Sequence, residues 1–230
     1  MSNGGGGGMN NGGGGGMSNG GGGGNRNGGG RSRRGGNWPQ QAPQPQQDTS
    51  LLKQTRGAIE RVGVIEIGGK PATVLGRDVQ VGMFAPEFTV TANDWSQVDV
   101  LTQTAGKVRI IASVPSLDTN VCAIETRKFN EAAASLSEDI EIAVISTDMP
   151  MTQKRWCGSA GVDQVTTFSD VLNTDFGIKY GLLIRERRYL RRAVFVVDRN
   201  DKLSYVAYMA KLGDEPDYDE VIRAAEAALS

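Results

Sequence analysis

Residues 108–114 read Val-Arg-Ile-Ile-Ala-Ser-Val, and residues 115–122 continue as Pro-Ser-Leu-Asp-Thr-Asn-Val-Cys. The first stretch is a largely apolar, β-branched run, which predicts a central strand covered on both faces. Residues 120–138 carry an apolar stripe at helical spacing, which predicts a helix. Cys122 is therefore expected in the first turn of a helix that leaves the carboxyl end of a core strand, where open α/β sheets place their sites.

A thiol in that position has a physical reason to be reactive. The unpaired N–H groups and the positive dipole end of a helix N-terminus stabilise a thiolate. Thr119 lies three residues earlier, so its hydroxyl can reach the sulfur or a bound ligand. Taken alone, Thr119 or Asp118 is more often a helix cap, and a free cysteine is more often a small buried apolar residue.

The rest of the chain predicts a mixed α/β sheet with helices on both faces. A hairpin is expected at Gly68-Gly69, and a right-handed βαβ unit is expected around the helix that begins at Asn120. Other strands are predicted at 62–67, 70–75, 87–91, 98–101, 140–146, 165–168, 192–198 and 203–208, and other helices at 150–158, 174–180 and 216–229.

The N-terminal part differs sharply in composition from the rest. Residues 1–50 contain 20 of the 32 glycines, and residues 1–24 are three copies of an eight-residue Met/Asn/Gly unit. Such a segment has almost nothing to bury, so a disordered tail is predicted over 1–50. Residues 51–61 are predicted to be a linker or a short helix, and residues 62–230 a single domain.

Charge and hydropathy bear on the partners of the protein. The tail carries four arginines and one aspartate, whereas residues 51–230 carry 21 basic and 25 acidic residues. A mildly acidic body argues against a nucleic-acid-binding domain, and the tail arginines offer only a weak RNA contact. The sequence has no 18-residue apolar run and no apolar signal segment, so no membrane association is expected and the cytoplasm is the expected location.

The chain has two cysteines, Cys122 and Cys157, and no histidine. Ser-His-Asp and Cys-His catalysis are therefore excluded, as is a His-ligated metal site, and two cysteines are too few for a structural zinc site. We expect neither a metal nor a cofactor. One structural disulfide, two inert buried thiols and a redox pair all remain compatible with this composition.

Several motifs together resemble the thiol peroxidase subfamily of peroxiredoxins, the atypical two-cysteine type. The resemblance covers about residues 62–230. The matching segments are 84–88 (Phe-Ala-Pro-Glu-Phe), 115–122, 127–130 (Arg-Lys-Phe-Asn), 155–158 (Arg-Trp-Cys-Gly), 192–198 (Arg-Ala-Val-Phe-Val-Val-Asp) and 215–218 (Glu-Pro-Asp-Tyr). This resemblance implies a thioredoxin-like fold, preceded here by a tail that compact members of the family lack.

The resemblance also implies a role for five residues. Cys122 is implied as the peroxidatic cysteine, which a hydroperoxide oxidises to a sulfenic acid, and Cys157 as the resolving cysteine, which then forms a disulfide with it. Thr119 and Arg192 are implied to bind the sulfur and the peroxide, and Pro115 to shield the sulfenic acid. Arg192 lies in a basic run, and only the resemblance distinguishes it from Arg191.

The implied activity is reduction of hydrogen peroxide and of organic (alkyl or lipid) hydroperoxides, with thioredoxin as the reductant and a homodimer as the expected state. The apolar Val121 and Phe129 are compatible with organic substrates. Cys122 and Cys157 are expected in two different helices, and the resemblance implies that the reduced fold keeps them too far apart for a disulfide. Parts of both helices are therefore expected to unwind before the disulfide forms. Two rival functions are a redox-sensing module that passes its disulfide to a partner protein, and an RNA-associated protein that uses the tail.

Overall fold

The computed structural model describes residues 57–230, so the predicted tail and residues 51–56 lie outside the described part. Its strands are β1 (Glu60–Ile67), β2 (Lys70–Leu75), β3 (Thr89–Thr91), β4 (Gln97–Asp99), β5 (Val108–Ser113), β6 (Ile140–Ser146), β7 (Thr166–Ser169), β8 (Leu183–Ile184), β9 (Tyr189–Leu190), β10 (Ala193–Val197) and β11 (Leu203–Tyr208). Its helices are α1 (Val100–Gln103), α2 (Asn120–Ala133), α3 (Pro150–Ala160), α4 (Asp175–Lys179) and α5 (Tyr218–Ala227).

The main sheet has seven strands in the order β11-β10-β5-β6-β7-β3-β4. Strands β5, β6 and β7 are parallel, and the flanking pairs are antiparallel. The carboxyl ends of β5 and β6 therefore meet at one edge of the sheet. The loop that leads into α2 and the residues that lead into α3 therefore lie next to each other at this edge.

The sheet is covered on both faces, as its sequence predicts. Every residue of β5 is buried, and successive residues point into opposite cores. Ile111 lies in the core that includes residues of α1 and α4. Ile110 lies in the core that packs against α2, α3 and α5. The thioredoxin-like arrangement of a mixed sheet with helices on both faces is thus confirmed.

The N-terminal hairpin forms as predicted, but it belongs to a second sheet. Strands β1 and β2 join β8 and β9 in the order β1-β2-β8-β9. The sequence prediction missed β8 and β9 because each has only two residues and the connecting residues 185–188 are all charged. A two-residue strand has no alternation that a sequence pattern could reveal.

Several element boundaries differ from the predictions. Helix α2 ends at Ala133 rather than Glu138. Helix α3 continues to Ala160 and is terminated by Gly161 in the left-handed conformation, so Cys157 lies within the helix and not at its end. Within 57–230, none of the helices is long and apolar enough to cross a bilayer.

Neither of the segments 51–61 and 98–101 forms the predicted helix or strand over its full length. A linker or a short helix is predicted for 51–61; in the described part no helix is present there, because 57–59 are a turn, a bend and an irregular residue and β1 begins at Glu60. The strand predicted at 98–101 is divided between β4 and α1. Asp99 caps α1 by accepting a hydrogen bond from the Thr102 backbone N–H, and this capping ends the strand.

Gly76 fixes the junction between the second sheet and α4. It follows β2 with a φ of +89°, and a Cβ atom there would lie 1.8 Å from the carbonyl oxygen of Ile178. Gly82 has a similar φ of +87°, but a Cβ atom there would meet nothing within 4 Å. Substitution of Gly82 therefore tests the cost of backbone strain alone, whereas substitution of Gly76 tests strain together with a steric clash.

We predict that Gly76→Ala destabilises the protein by more than about 3 kcal/mol, because left-handed strain and a backbone clash add together. Gly82→Ala should cost only about 1–2 kcal/mol from the strain. Urea unfolding of the two variants and the parent measures the difference. Equal losses of stability would contradict the close approach of Gly76 to α4.

Candidate active site

The loop before α2 brings Thr119 onto the sulfur of Cys122. Thr119 is the N-cap residue of α2, but its side chain makes no capping hydrogen bond to the helix backbone. Its hydroxyl lies 2.8 Å from Cys122 Sγ and 3.0 Å from the carbonyl oxygen of Ser116. A hydroxyl has one proton, so Thr119 donates to only one of these acceptors at a time.

Arg192 approaches the same sulfur from the neighbouring strand. It immediately precedes β10, and its Nη2 lies 3.2 Å from Cys122 Sγ. The carbonyl oxygen of Leu212 accepts from Nε and Nη2, at 3.2 and 3.1 Å, and holds the guanidinium in place. Arg192 is 1% exposed and Cys122 is 0% exposed, so this charge acts on the sulfur with little screening by solvent.

Arg191 makes different contacts, although it is also buried. It pairs with Asp78, and its guanidinium lies 3.9 Å from the ring centroid of Tyr208. The structure therefore brings together four of the five residues singled out in the sequence: Pro115, Thr119, Cys122 and Arg192. Pro115 is buried beside them and contributes to the wall of the adjoining cavity.

Glu125 is a member of this cluster that the sequence analysis missed. Its carboxylate accepts from Arg192 Nη1, while its other oxygen has no partner among the described residues. Burial raises the pKa of Glu125 to about 7, against the opposing effect of the Arg192 charge. The available signal was its position: it lies one turn after Cys122 on the buried face of α2, where a carboxylate needs a partner.

Asp148 is a second residue near the site that the sequence did not indicate. It follows β6, and its carboxylate accepts from Ser116 Oγ at 2.7 Å, from the Leu117 backbone N–H at 2.7 Å and from Ser146 Oγ at 2.8 Å. The sequence does not show this contact because Ser116 and Asp148 are 32 residues apart. The parallel pairing of β5 and β6 makes them neighbours.

A cavity of about 290 Å³ opens beside the buried sulfur. Thr119 and Arg192 form its polar wall, and the rest of the lining is mainly apolar, including Val121, Tyr189 and Leu212. Val121 was expected near the site and lines this cavity. Phe129 does not: it is fully buried two turns further along α2, with its ring 5.3 Å from that of Tyr218.

The fifth residue, Cys157, lies elsewhere. Both cysteines are free, and Cys157 Sγ lies 3.5 Å from Thr167 Oγ1 on the neighbouring β7. Burial raises the pKa of the Cys157 thiol, and the hydrogen bond with Thr167 opposes this only in part. Among residues 57–230 no cluster of acidic or cysteine side chains is suited to hold a metal ion.

Comparisons with known proteins agree with this geometry. A protein-family model described as Redoxin matches residues 80–222. A thiol peroxidase of Halalkalibacterium halodurans is 50% identical over 165 residues, which are 72% of this chain and 98% of that protein. The chain belongs to the thiol peroxidase family of peroxiredoxins. A Bacillus subtilis thiol peroxidase is 44% identical with the same coverage.

Solved structures of peroxiredoxins support the same membership. A peroxiredoxin-like protein from Aquifex aeolicus has a TM-score of 0.65 and 36% identity, over 74% of this chain and 98% of that one. A thiol peroxidase from Chromobacterium violaceum has a TM-score of 0.63 over 71% of this chain and 95% of that one. Because its identity is 18%, it supports the fold alone. As a thiol peroxidase, the protein is an oxidoreductase.

We predict that Glu125 makes stability depend on pH. Its folded pKa of about 7 lies above the unfolded value of 4.5, so its favourable contribution is complete below about pH 4.5 and is lost as pH rises through 7. The full effect is at most about 3 kcal/mol. Glu125→Gln keeps the shape and removes the charge, and should therefore narrow the difference in unfolding free energy between pH 5 and pH 8.

Urea unfolding at the two pH values measures this difference. Glu131→Gln is the matched control, because Glu131 is exposed on the same helix and the substitution is identical. The prediction fails if the Glu125 and Glu131 variants show the same pH dependence as the parent.

Proposed function

We propose that the protein reduces hydroperoxides through Cys122, which becomes a sulfenic acid, and that Cys157 then resolves it as an intramolecular disulfide. One observation carries the proposal: Cys122 Sγ lies 2.8 Å from the Thr119 hydroxyl and 3.2 Å from the Arg192 guanidinium. Two donors converge on one buried sulfur, and both donor side chains also line the adjoining cavity of about 290 Å³.

The first step transfers one oxygen atom. The Cys122 thiolate attacks the terminal oxygen of ROOH, the O–O bond breaks, and the released alkoxide takes up a proton to become ROH. The sulfur is oxidised to a sulfenic acid, and the peroxide is reduced to an alcohol, or to water when R is hydrogen. In place of a histidine, Arg192 and Thr119 supply the donors at the attacking sulfur.

Charge moves from the sulfur to the leaving oxygen during this step, and the site is arranged for that movement. The Arg192 guanidinium carries several N–H donors, so it can stabilise the thiolate first and the departing oxygen afterwards. The Thr119 hydroxyl can turn its proton from Ser116 to the reacting atoms. Since Leu212 and Glu125 already fix Arg192, little reorganisation is required.

The second step joins the two sulfurs. Cys157 attacks the Cys122 sulfenic acid, an S–S bond forms and water leaves, so the two thiols and one peroxide balance. Cys157 is held in α3 against Thr167, and burial keeps its thiol protonated. Unwinding of α3 would bring Cys157 toward Cys122 and into water, where its pKa returns to the ordinary range and thiolate becomes available.

The lining of the cavity supports one class of substrate, and the chemistry of a disulfide supports one type of reductant. The apolar residues Val121, Tyr189 and Leu212 suit the carbon chain of an alkyl or lipid hydroperoxide, so these should react faster than hydrogen peroxide. A dithiol protein of the thioredoxin type would return the disulfide to two thiols by exchange. A homodimer is the expected assembly.

We predict the outcome of adding one equivalent of cumene hydroperoxide to the fully reduced protein. The intact mass should fall by two hydrogens as the disulfide forms. Cys122→Ser should show no change, because no thiolate attacks the peroxide. Cys157→Ser should instead gain one or more oxygen atoms on Cys122. An unchanged mass of the parent protein would contradict the proposal.

Turnover then separates a peroxidase from a sensor. With thioredoxin, its reductase and NADPH, the enzyme should consume NADPH steadily, and faster with cumene hydroperoxide than with hydrogen peroxide. A single stoichiometric oxidation followed by slow reduction would favour the redox-sensing alternative. A faster reaction with hydrogen peroxide would contradict the assigned substrate class.

A further inference from the structure

The two cysteine-bearing helices are joined at their starting points by a polar cluster. On one side, Ser116 and Leu117 belong to the loop that precedes α2. On the other, Asp148 lies two residues before Pro150, the first residue of α3. The Asp148 carboxylate accepts two hydrogen bonds from the loop, and each of them is 2.7 Å long.

Serine side chains of the main sheet also hold Asp148 in place. Ser146 Oγ donates to the carboxylate at 2.8 Å and accepts from Gln153 Nε2 of α3 at 2.9 Å. Ser169 Oγ of β7 donates to the Asp148 carbonyl oxygen at 2.5 Å. Gln153 is 0% exposed and also donates to the Phe168 carbonyl oxygen at 2.8 Å, so the start of α3 is fixed to the sheet.

The loop side of the cluster leads to the reacting sulfur. Ser116 donates its hydroxyl proton to Asp148, and its carbonyl oxygen accepts from the Thr119 hydroxyl. Thr119 in turn lies against Cys122 Sγ. Asp148 therefore determines the position of the Ser116 carbonyl oxygen. Through that oxygen it also determines the position of the Thr119 side chain and the direction of its hydroxyl proton.

From these contacts we infer that Asp148 is a positioning residue that latches the peroxide-reactive form, and that its release couples unwinding at Cys122 to unwinding at Cys157. This rests on the proposed two-cysteine reaction. While the hydrogen bonds of Asp148 to Ser116 and Leu117 are intact, which we call the closed latch, the loop before α2 and the start of α3 are both held in place. This state favours oxygen transfer to Cys122. Disulfide formation requires both segments to move, so the bonds to Ser116 and Leu117 must break first.

The latch makes opposite predictions for the two chemical steps. Hydrogen bonds to a charged acceptor are stronger than neutral ones, and their loss shifts the equilibrium toward the unwound form. Asp148→Asn keeps the shape but replaces one acceptor oxygen with a donor. Formation of the sulfenic acid should therefore slow by about 3- to 10-fold, while formation of the disulfide from it should accelerate by about tenfold.

The two steps are measured by rapid mixing with cumene hydroperoxide, alkylation of remaining thiols and intact mass. Asp148→Asn in the Cys157→Ser background reports oxygen transfer alone, and the single variant in the parent background reports disulfide formation. Asp139→Asn is the control: Asp139 is an exposed aspartate that accepts from Arg199 and directly precedes β6, at the opposite end of that strand from Asp148.

A merely structural role would slow both steps or leave both unchanged, and either result overturns the inference. If Asp148→Asn does not fold, Ser116→Ala removes one of the two loop bonds and should shift both rates in the same directions, by a smaller factor. Should the parent protein form no disulfide at all, the resolving role proposed for Cys157 fails. A normal disulfide with unshifted rates in the Asp148 variant defeats the latch alone.

Discussion

The structure depends on one buried cation, the Arg192 guanidinium. It lies between the Cys122 sulfur, the Glu125 carboxylate and the Leu212 carbonyl oxygen, and the side chains of Arg192, Cys122 and Glu125 are almost fully buried. A buried charge without partners is strongly unfavourable, so the guanidinium needs hydrogen-bond acceptors at this position. The same guanidinium lies 3.2 Å from the sulfur that we propose reacts with the peroxide.

The fold supplies this arrangement by placing strand ends next to each other. β5 ends where the loop to α2 begins, and the antiparallel β10 begins at the same edge, with Ala193 paired to Ser113. Arg192, which directly precedes β10, is thereby brought beside Cys122 although the two residues are 70 positions apart. On the other side of β5, the parallel β6 brings Asp148 to the loop. Hence one central strand positions both the arginine that contacts the Cys122 sulfur and the aspartate that holds the loop.

Much of the sheet could be predicted from the sequence because its strands are long and apolar. β5 and β6 are buried almost throughout, and their runs of β-branched residues are visible without a structure. The two-residue strands β8 and β9 could not be found, since β8 is defined by its pairing with β2 and β9 by its pairing with β8. Helix α3 continued past the predicted end because Gly161, and not Gly158, adopts the left-handed terminating conformation.

From the residue pattern alone, contacts in the site were predictable only between residues that are close together in the sequence. Thr119 and Cys122 lie in one helical turn, so their contact follows from spacing alone. Arg192 required the family resemblance, because nothing in the basic run from 185 to 192 indicates which arginine contacts the Cys122 sulfur. Glu125 and Asp148 act through contacts with distant segments, and Asp148 reaches the loop only because two strands 32 residues apart are parallel neighbours.

The most direct test of this account compares two adjacent arginines. Arg192→Gln removes the charge at the sulfur, whereas Arg191→Gln removes an equally buried charge that pairs with Asp78. The measurement is the second-order rate constant of Cys122 oxidation by cumene hydroperoxide. The account predicts a loss of about 100-fold or more for Arg192→Gln and a change within about threefold for Arg191→Gln. Similar rate constants for the two variants would contradict the central role of Arg192.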